Sequence, residues 1–317
     1  MTRARFFEVR CPEDAATNSG LRKQGSPESR RQETHLRRME MNFSRRKFMA
    51  FATVAAANFS SIPVFAQDAS TLDQVKARKQ LRIGVTSAEP WFFKDPLSEK
   101  WTGVGVAMGE RLAADLGVEM VPVETTWSNA VAALQANQID LMFVLDPTEE
   151  RKKAIDFPDT PLFYYAMGAL IPEEAPFMSW AAIDKPGTRI GVTLGTSLDK
   201  NITAIVKSAA INRFSNNDEA IAAFAAKRVD IVVQFHPALV VQYARLKLGK
   251  VILPSPVTPV ATSAGLRKEQ NTAFRDWVNG QFAELYKAGV PNQMFRDYLA
   301  SKHIDADEIP GLIKEAW

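Results

Sequence analysis

The stretch from Leu141 to Arg151 reads Leu-Met-Phe-Val-Leu-Asp-Pro-Thr-Glu-Glu-Arg, and it decides how the rest of the chain is interpreted. Five apolar residues in succession predict a strand buried on both faces, as in a parallel sheet covered by helices. The next residues predict a helix, with Asp146 as its cap, Pro147 at its first position and Glu149 completing an approximate capping box. Arg151 then lies just outside the carboxyl end of a strand, where open parallel sheets bind ligands.

Arg151 itself allows two interpretations. Its guanidinium can bind a carboxylate or a phosphate through two parallel hydrogen bonds. Alternatively, it is a solvated residue of a well-capped surface helix, paired with Glu150. The stretch alone does not favour either interpretation.

The N-terminus predicts an export signal. Residues 1–38 are rich in arginine and show no apolar period, and Ser44-Arg45-Arg46-Lys47-Phe48-Met49 is followed by a short apolar run and then by Val64-Phe65-Ala66. This order of a charged region, an apolar region and a small-residue cleavage site is typical of a signal peptide, and the paired arginines resemble a twin-arginine signal. We expect residues 39–66 to be removed. Residues 1–38 are expected to be a mis-assigned start, with a genuine disordered extension as the alternative.

Charge and cysteine content exclude several classes of function. The first 66 residues hold 12 of the 39 basic and 6 of the 36 acidic residues, so the mature chain carries 27 against 30, a net charge of −3. Neither nucleic acid nor an anionic membrane is therefore an expected partner. The only cysteine, Cys11, lies in the leader, so the mature chain forms no internal disulfide. These features predict a soluble exported protein, periplasmic in a host with two membranes.

An internal repeat predicts two similar α/β lobes. Arg82-Ile83-Gly84-Val85-Thr86 recurs identically as Arg189-Ile190-Gly191-Val192-Thr193. After each copy, NAVAALQANQIDLMFV (129–144) aligns without gaps to EAIAAFAAKRVDIVVQ (219–234), with Asp140 opposite Asp230. Each unit reads as a helix, a tight turn and a buried strand. We place the first lobe at 67–168, the second at 169–257 and a return to the first at 258–317, which makes two crossover strands and thus a hinge.

The chain resembles the periplasmic solute-binding proteins of family 3, the receptors of polar amino-acid ABC transporters. The segments that carry the resemblance span nearly all of the mature chain, and they include Pro90-Trp91-Phe92, Trp101-Thr102-Gly103-Val104-Gly105-Val106, Thr148-Glu149-Glu150-Arg151, Gly195-Thr196-Ser197 and Arg228-Val229-Asp230-Ile231-Val232-Val233. The resemblance implies a type II binding-protein fold, in which each lobe is a mostly parallel sheet flanked by helices and two strands form the hinge.

The resemblance also implies ligand contacts. Arg151 corresponds to the arginine that grips the ligand's α-carboxylate, and Thr196 to a residue of the second lobe that binds the same group. Gly195 would allow close approach, and the N–H groups that open the helix predicted from Leu198 to Ala209 would form an anion site together with Ser197; an ordinary turn with a helix cap is the alternative. Trp91 or Phe92 matches an aromatic that stacks on the ligand, although such residues, taken alone, more often pack in the core or the hinge.

Two departures affect the amino half of the implied site. The position of the usual ammonium-binding aspartate holds Phe235, between Gln234 and His236, and each of the three is a candidate ligand contact. The segment between Asp140 and Arg151 is also one residue shorter than is usual. Asp146 could take over the ammonium, or it could simply cap the helix, which the sequence favours slightly.

Enzyme signatures are weak in this sequence. It has no metal-ligand spacing, no Gly-x-Ser-x-Gly elbow and no phosphate loop, so no cofactor or metal is expected. Some exported relatives on this fold are cyclohexadienyl dehydratases; Asp146, Glu89 and His236 would be the catalytic candidates in that case. The favoured hypothesis is a monomeric receptor, not an enzyme, that binds a small carboxylate, an amino acid or a close analogue, and docks transiently on an inner-membrane ABC permease.

Overall fold

The computed structural model describes residues 5–6, 69–307 and 309–317. The strands are β1 (Arg5–Phe6), β2 (Gln80–Val85), β3 (Phe93–Lys94), β4 (Trp101–Thr102), β5 (Glu119–Glu124), β6 (Leu141–Phe143), β7 (Phe163–Ile171), β8 (Arg189–Thr193), β9 (Ala210–Phe214), β10 (Ile231–Phe235), β11 (Lys250–Leu253), β12 (Pro259–Thr262) and β13 (Ala264–Leu266). The predicted export signal, residues 39–66, lies outside the described residues.

Helices cover both sheets. They are α1 (Thr71–Arg78), α2 (Val104–Leu116), α3 (Ala130–Gln135), α4 (Glu149–Ala154), α5 (Trp180–Ile183), α6 (Ser197–Ile205), α7 (Asn217–Ala225), α8 (His236–Leu246), α9 (Ala273–Lys287) and α10 (Val290–Ser301), followed by a short 3-10 helix, Lys314–Ala316. No helix in the described part of the chain combines the length and the apolar character needed to cross a membrane.

Two separate sheets form the two lobes. The first has the order β13-β6-β2-β5, with β2 parallel to both of its neighbours and β13 antiparallel to β6. The second has β8 parallel to both β9 and β10, then β7 antiparallel to β10 and to β11. The short β1 adds to the β11 edge. The repeat thus predicted the two α/β lobes correctly. The mostly parallel sheets that the resemblance implied are found in the first lobe only, because in the second lobe β7 pairs antiparallel with β10, β11 and β12.

The chain crosses between the lobes along β7 and β12. The first half of β7 pairs with β12, and its second half pairs with β10 and β11 inside the second sheet. Ser263 then leads directly into β13 of the first sheet. These two adjacent crossover strands form the two-strand hinge of the expected fold class.

Burial follows the strand alternation on both faces of the second sheet. Val232 and Leu170 belong to a core that also includes the first lobe and the hinge, whereas Val233 and Ala169 belong to a separate cluster on the opposite face. Successive side chains of a strand point to opposite faces, so these strands are covered on both sides. Near-continuous apolar runs are the expected consequence.

The helix after β6 begins later than the sequence indicated. Its N-cap is Thr148, whose hydroxyl accepts a hydrogen bond from the Arg151 backbone N–H, and the first helical residue is Glu149. The prediction that Asp146 caps this helix is therefore wrong. The physical reason is that Thr148 supplies a cap two residues later, which leaves the Asp146 carboxylate available for other contacts.

Candidate functional site

A cavity lies between the lobes at the carboxyl ends of the parallel strands. It offers about 50 Å³ to the centres of water-sized molecules, several times the space that one buried water needs. Its walls come from both lobes, and its lining includes Trp91, Trp127, Asp146, Arg151, Tyr165, Thr193, Thr196, Ser197, Asn217, Gln234 and Phe235. Open α/β sheets bind their ligands outside the carboxyl ends of the strands, which is where this cavity lies.

Arg151 reaches across the gap between the lobes. Its Nη1 donates to the Asp146 carbonyl oxygen at 3.0 Å, and its Nη2 donates to the carbonyl oxygen of Gly195 in the second lobe at 2.9 Å. Burial lowers the pKa of the guanidinium, and the negative charge of Asp146 opposes that effect. The alternative pairing with Glu150 is not formed, since the Glu150 carboxylate lies 3.5 Å from Lys200 instead. The guanidinium thus bonds neutral carbonyl groups.

The Gly195-Thr196-Ser197 segment closes the cavity from the second lobe. Gly195 has a φ of +78°, and a Cβ there would lie 2.6 Å from the Ser128 hydroxyl of the first lobe. Thr196 is the N-cap of α6: its hydroxyl donates to the Thr193 carbonyl at 2.7 Å and accepts from the Asp199 N–H at 3.1 Å. Glycine is therefore required where the two lobes touch, and the Thr196 hydroxyl is committed to capping.

Asp146 is buried in the cavity wall with 4% of its surface exposed. Its carboxylate accepts hydrogen bonds from the Tyr165 hydroxyl at 2.6 Å and from the Ser197 hydroxyl of the second lobe. Burial raises the pKa of this carboxyl, while the Ser197 and Tyr165 hydroxyls and the nearby positive charge of Arg151 act in the opposite direction. Both side chains that hold the carboxylate are neutral.

Aromatic rings form much of the remaining wall. Trp91 lines the cavity and stacks on Phe163, with ring centroids 4.9 Å apart. Phe235 stacks face to face on Tyr165, with centroids 3.7 Å apart and 4° between the planes. Phe92, the other aromatic candidate, is fully buried and does not line the cavity; an added Cβ on Gly105 would lie 2.5 Å from its ring.

His236 is turned away from the cavity. The side chain is fully buried; its Nδ1 accepts from the Ala166 N–H at 3.2 Å, and its Nε2 lies 3.0 Å from the Pro310 carbonyl oxygen, to which it donates in the matching tautomer. Burial lowers the pKa of His236 to about 4, so the ring is neutral at pH 7. It connects the second lobe to the C-terminal segment, which is a structural role and not that of a ligand contact or a catalytic group.

Gln234 and its neighbours supply amide groups to the cavity. The Gln234 Nε2 donates to the Asn217 carbonyl at 3.3 Å, while its buried Oε1 has no hydrogen-bond partner among the described residues. Thr193 donates to the Asn217 side chain at 2.8 Å. Sequence reasoning missed Trp127, Tyr165, Thr193 and Asn217. Thr193 could have been found, because it ends the repeated pentapeptide at the carboxyl end of its strand.

Glu89 belongs to a different contact between the lobes. It accepts a hydrogen bond from the Tyr298 hydroxyl and lies 3.4 Å from Lys302 and 3.8 Å from Arg245 of the second lobe. It is not among the residues that line the cavity. Of the three catalytic candidates, only Asp146 reaches the cavity, so the structure does not bring them together.

Residues 81–301 match the bacterial extracellular solute-binding proteins, family 3. The chain belongs to this family. The family-3 match covers both lobes and the hinge, and it includes every cavity residue named above. The resemblance seen in the sequence is thereby confirmed, together with the type II fold class.

Individual relatives of this family-3 protein include binding proteins and an enzyme. The L-cystine-binding protein TcyJ of Escherichia coli is 28% identical over 257 residues, which cover 78% of this chain and 93% of that protein. The crystal structure of the ancestral amino acid-binding protein AncCDT-1, a precursor of cyclohexadienyl dehydratase, is 29% identical with a TM-score of 0.65, covering 72% of this chain and 99% of that one. A cyclohexadienyl dehydratase of Pseudomonas aeruginosa is 29% identical over 168 residues, 50% of this chain and 60% of the enzyme.

Proposed function

We propose that this protein captures a small carboxylate between its lobes in the periplasm and delivers it to an inner-membrane ABC permease. The observation that carries the proposal is the Arg151 guanidinium, which lines the cavity and hydrogen-bonds only to carbonyl groups among the described residues. A carboxylate would replace these neutral acceptors with a charge-assisted, bidentate pair. The relatives that bind cystine and amino acids support the same class of ligand.

Closure of the hinge follows from the way the site is divided. Arg151 and Trp91 come from the first lobe, whereas Thr196, Ser197 and Gln234 come from the second. A ligand that contacts both sets stabilises the closed form, since only that form makes all of the contacts. The closed form is then the state that a permease would recognise.

The carboxylate assignment is tested by calorimetry on Arg151→Met. This variant keeps most of the apolar stem and removes the charge. We expect it to lose about 2–5 kcal/mol of binding free energy, the usual cost of removing one partner of a buried charge pair. Lys153→Met is the matched control, because it removes the same charge from an exposed position two residues along the same helix. Near-normal affinity of Arg151→Met would refute the assignment.

A dehydratase is the second candidate function, and Asp146 is the observation that favours it. A buried carboxyl with a raised pKa inside a cavity is typical of a general acid. Glu89 and His236 lie outside the cavity lining, however, so one carboxyl alone would have to carry the chemistry. Incubation with prephenate or arogenate decides the question: aromatic product would replace the transport function with an enzymatic one.

A further inference from the structure

Buried carboxylates in this protein differ in their counter-charge. The buried acidic residues of the described chain are Asp140, Asp146 and Asp199. Asp140 pairs with Arg78 and Arg82, and Asp199 pairs with Arg213. Asp146 makes no ion pair with any described residue, and its hydrogen bonds come from two hydroxyls.

An unpaired buried charge is costly. Transfer of a carboxylate out of water is unfavourable unless a cation or several donors compensate it, and buried charges in proteins are therefore usually paired. Burial is the main cause of the raised pKa of the Asp146 carboxyl. Two hydroxyl donors leave further lone pairs of the carboxylate available, so an additional donor with a positive charge would be strongly stabilised there.

Arg151 shows the opposite deficit in the same cavity. Its guanidinium is bonded to two neutral carbonyls, and the part of the chain that the structure describes gives it no carboxylate partner. The Asp146 carbonyl is one of those acceptors, so the two residues lie side by side. One wall thus presents a guanidinium next to a carboxylate: their charges attract each other, but they form no direct ion pair, and each keeps hydrogen-bonding capacity for a charged partner.

The rest of the lining limits what else the ligand can carry. The remaining cavity residues are uncharged, and the main apolar contributors are Trp91, Trp127, Val144, Leu198, Val233 and Phe235. Gln234 adds one more acceptor, the buried Oε1 without a described partner. A ligand charge beyond the two that Arg151 and Asp146 can pair would therefore have no counterpart in this cavity.

We propose that Asp146 binds an ammonium group of the ligand, which is a small zwitterion with an uncharged body whose carboxylate is held by Arg151. The proposal rests on the proposed function, since it assumes that Arg151 binds a carboxylate. It assigns the ammonium to an acid of the first lobe, while Phe235 occupies the second-lobe position where the family resemblance places the acid. Tyr165 and Ser197 orient the Asp146 carboxylate, and Gln234 offers a second acceptor.

Matched ligand triplets test the proposal on the unmodified protein. Each triplet consists of a primary α-amino acid, its deaminated carboxylic acid and its decarboxylated amine, and binding is measured by calorimetry after a thermal-shift screen of the nineteen standard triplets. The zwitterion of the best triplet is expected to bind at least about 30-fold more tightly than either analogue, because each analogue leaves one buried charge unpaired.

Asp146→Asn then identifies the residue responsible. The substitution keeps size and hydrogen-bonding capacity but removes the charge. We expect affinity for the amino acid to fall by at least about 30-fold, while affinity for the deaminated acid stays the same or rises. Glu149→Gln is the matched control: it removes the same charge nearby, and its side chain is 85% exposed. The wild-type triplet comparison remains decisive if the variant does not fold.

The outcomes separate the two proposals. If the deaminated acid binds the wild-type protein as tightly as the amino acid, the assignment to Asp146 is overturned while the carboxylate receptor stands. An Asp146→Asn variant that retains the full preference for the amino acid overturns the assignment as well. If no carboxylate of any triplet binds, the proposed function and this inference both fail.

Discussion

In each copy of Arg-Ile-Gly-Val-Thr, the arginine forms an ion pair, here called an anchor, with the aspartate that precedes the neighbouring strand. The two anchors lie in different environments. In the first lobe, the Arg82 backbone N–H and Nη2 both donate to Asp140, at 2.7 and 2.8 Å. In the second lobe, the Arg189 backbone N–H and Nη2 both donate to Asp230, at 2.8 and 2.6 Å. The side chain of Asp140 is fully buried, whereas that of Asp230 is 38% exposed. The same residue types therefore join corresponding strands in the two lobes, but they are expected to contribute differently to the free energy of unfolding.

The two lobes differ in the segments that follow these strands. Beyond Thr86 the chain forms a loop that carries Trp91, whereas beyond Thr193 it turns directly into α6. Continuing the ungapped repeat by two residues places Asp146 opposite His236. Asp146 lines the cavity, while His236 is held by Ala166 and Pro310 behind it. The shared part thus builds the sheets, and the divergent ends build the site.

The largest expected difference concerns the two anchoring aspartates. Asp140→Ala leaves Arg78 and Arg82 without their buried partner and is expected to lower the free energy of unfolding by about 3–5 kcal/mol. Asp230→Ala removes a partly exposed pair and is expected to cost about 1 kcal/mol or less. Urea denaturation of both variants measures the difference. Equal losses would show that burial does not distinguish the two anchors.

His236 is expected to make the protein sensitive to acid. Its folded-state pKa of about 4 lies below the unfolded value of 6.5, so the unfolded chain binds the proton first as the pH falls. The stability that neutral His236 contributes is fully present above pH 6.5 and is lost between pH 6.5 and 4. The total loss is about 3 kcal/mol, at 1.36 kcal/mol per pH unit. Urea denaturation across this range checks the loss.

His236→Gln provides the comparison for that pH profile. The variant cannot titrate at this position, while every other titrating group is unchanged. Its stability should therefore fall less than that of the wild type between pH 6.5 and 4. Parallel profiles would show that His236 is not the group responsible.

The repeated glycines allow a smaller comparison. A Cβ on Gly84 would lie 2.7 Å from Ile139 and 3.3 Å from Met142, whereas on Gly191 the nearest atom, of Val229, would be at 3.1 Å. We expect Gly84→Ala to destabilise the protein by about 1–2 kcal/mol through overpacking. Gly191→Ala should stay within about 1 kcal/mol of the wild type, because reduced entropy of the unfolded chain offsets the tighter contact. Thermal melts of both variants distinguish these outcomes, and the reverse order would contradict the packing argument.

The sequence predicted the parts of the fold that depend on local patterns. The strands that begin the repeated pentapeptides, and the aspartates Asp140 and Asp230 that bind their arginines, followed from the repeat. Helix α6 runs from Ser197 to Ile205, although it was expected from Leu198 to Ala209. It ends early because Ala210 already begins β9, a pairing that helical periodicity does not reveal.

The candidate site was less predictable because its contacts are distant in sequence. Asp146 and Thr148 are both good caps two residues apart, so local signals could not choose between them. The contacts that hold the Asp146 carboxylate come from Tyr165 and Ser197, 19 and 51 residues away. The Pro310 carbonyl that holds His236 is 74 residues away. Such pairings are set by the closure of the two lobes and not by spacing along the chain.

The smallest expected effect is that of Asp146→Asn, which should change the free energy of unfolding in the opposite direction to a substitution at the buried Asp140. Because the folded-state pKa of Asp146 is raised, the stability this group contributes is present at low pH and is lost as the pH rises through that pKa. Asp146→Asn should therefore stabilise the protein by about 1 kcal/mol at pH 7, as expected where a site keeps a strained charge for function. Asp140→Asn, which weakens a satisfied ion-pair anchor, should destabilise it.

Urea denaturation at pH 7 and at pH 4 provides the check, since the gain at Asp146 should shrink as the wild-type carboxyl becomes protonated. A loss of stability in Asp146→Asn at pH 7 would mean that the Tyr165 and Ser197 hydroxyls already compensate the buried charge, and a ligand cation would then not be needed to explain it.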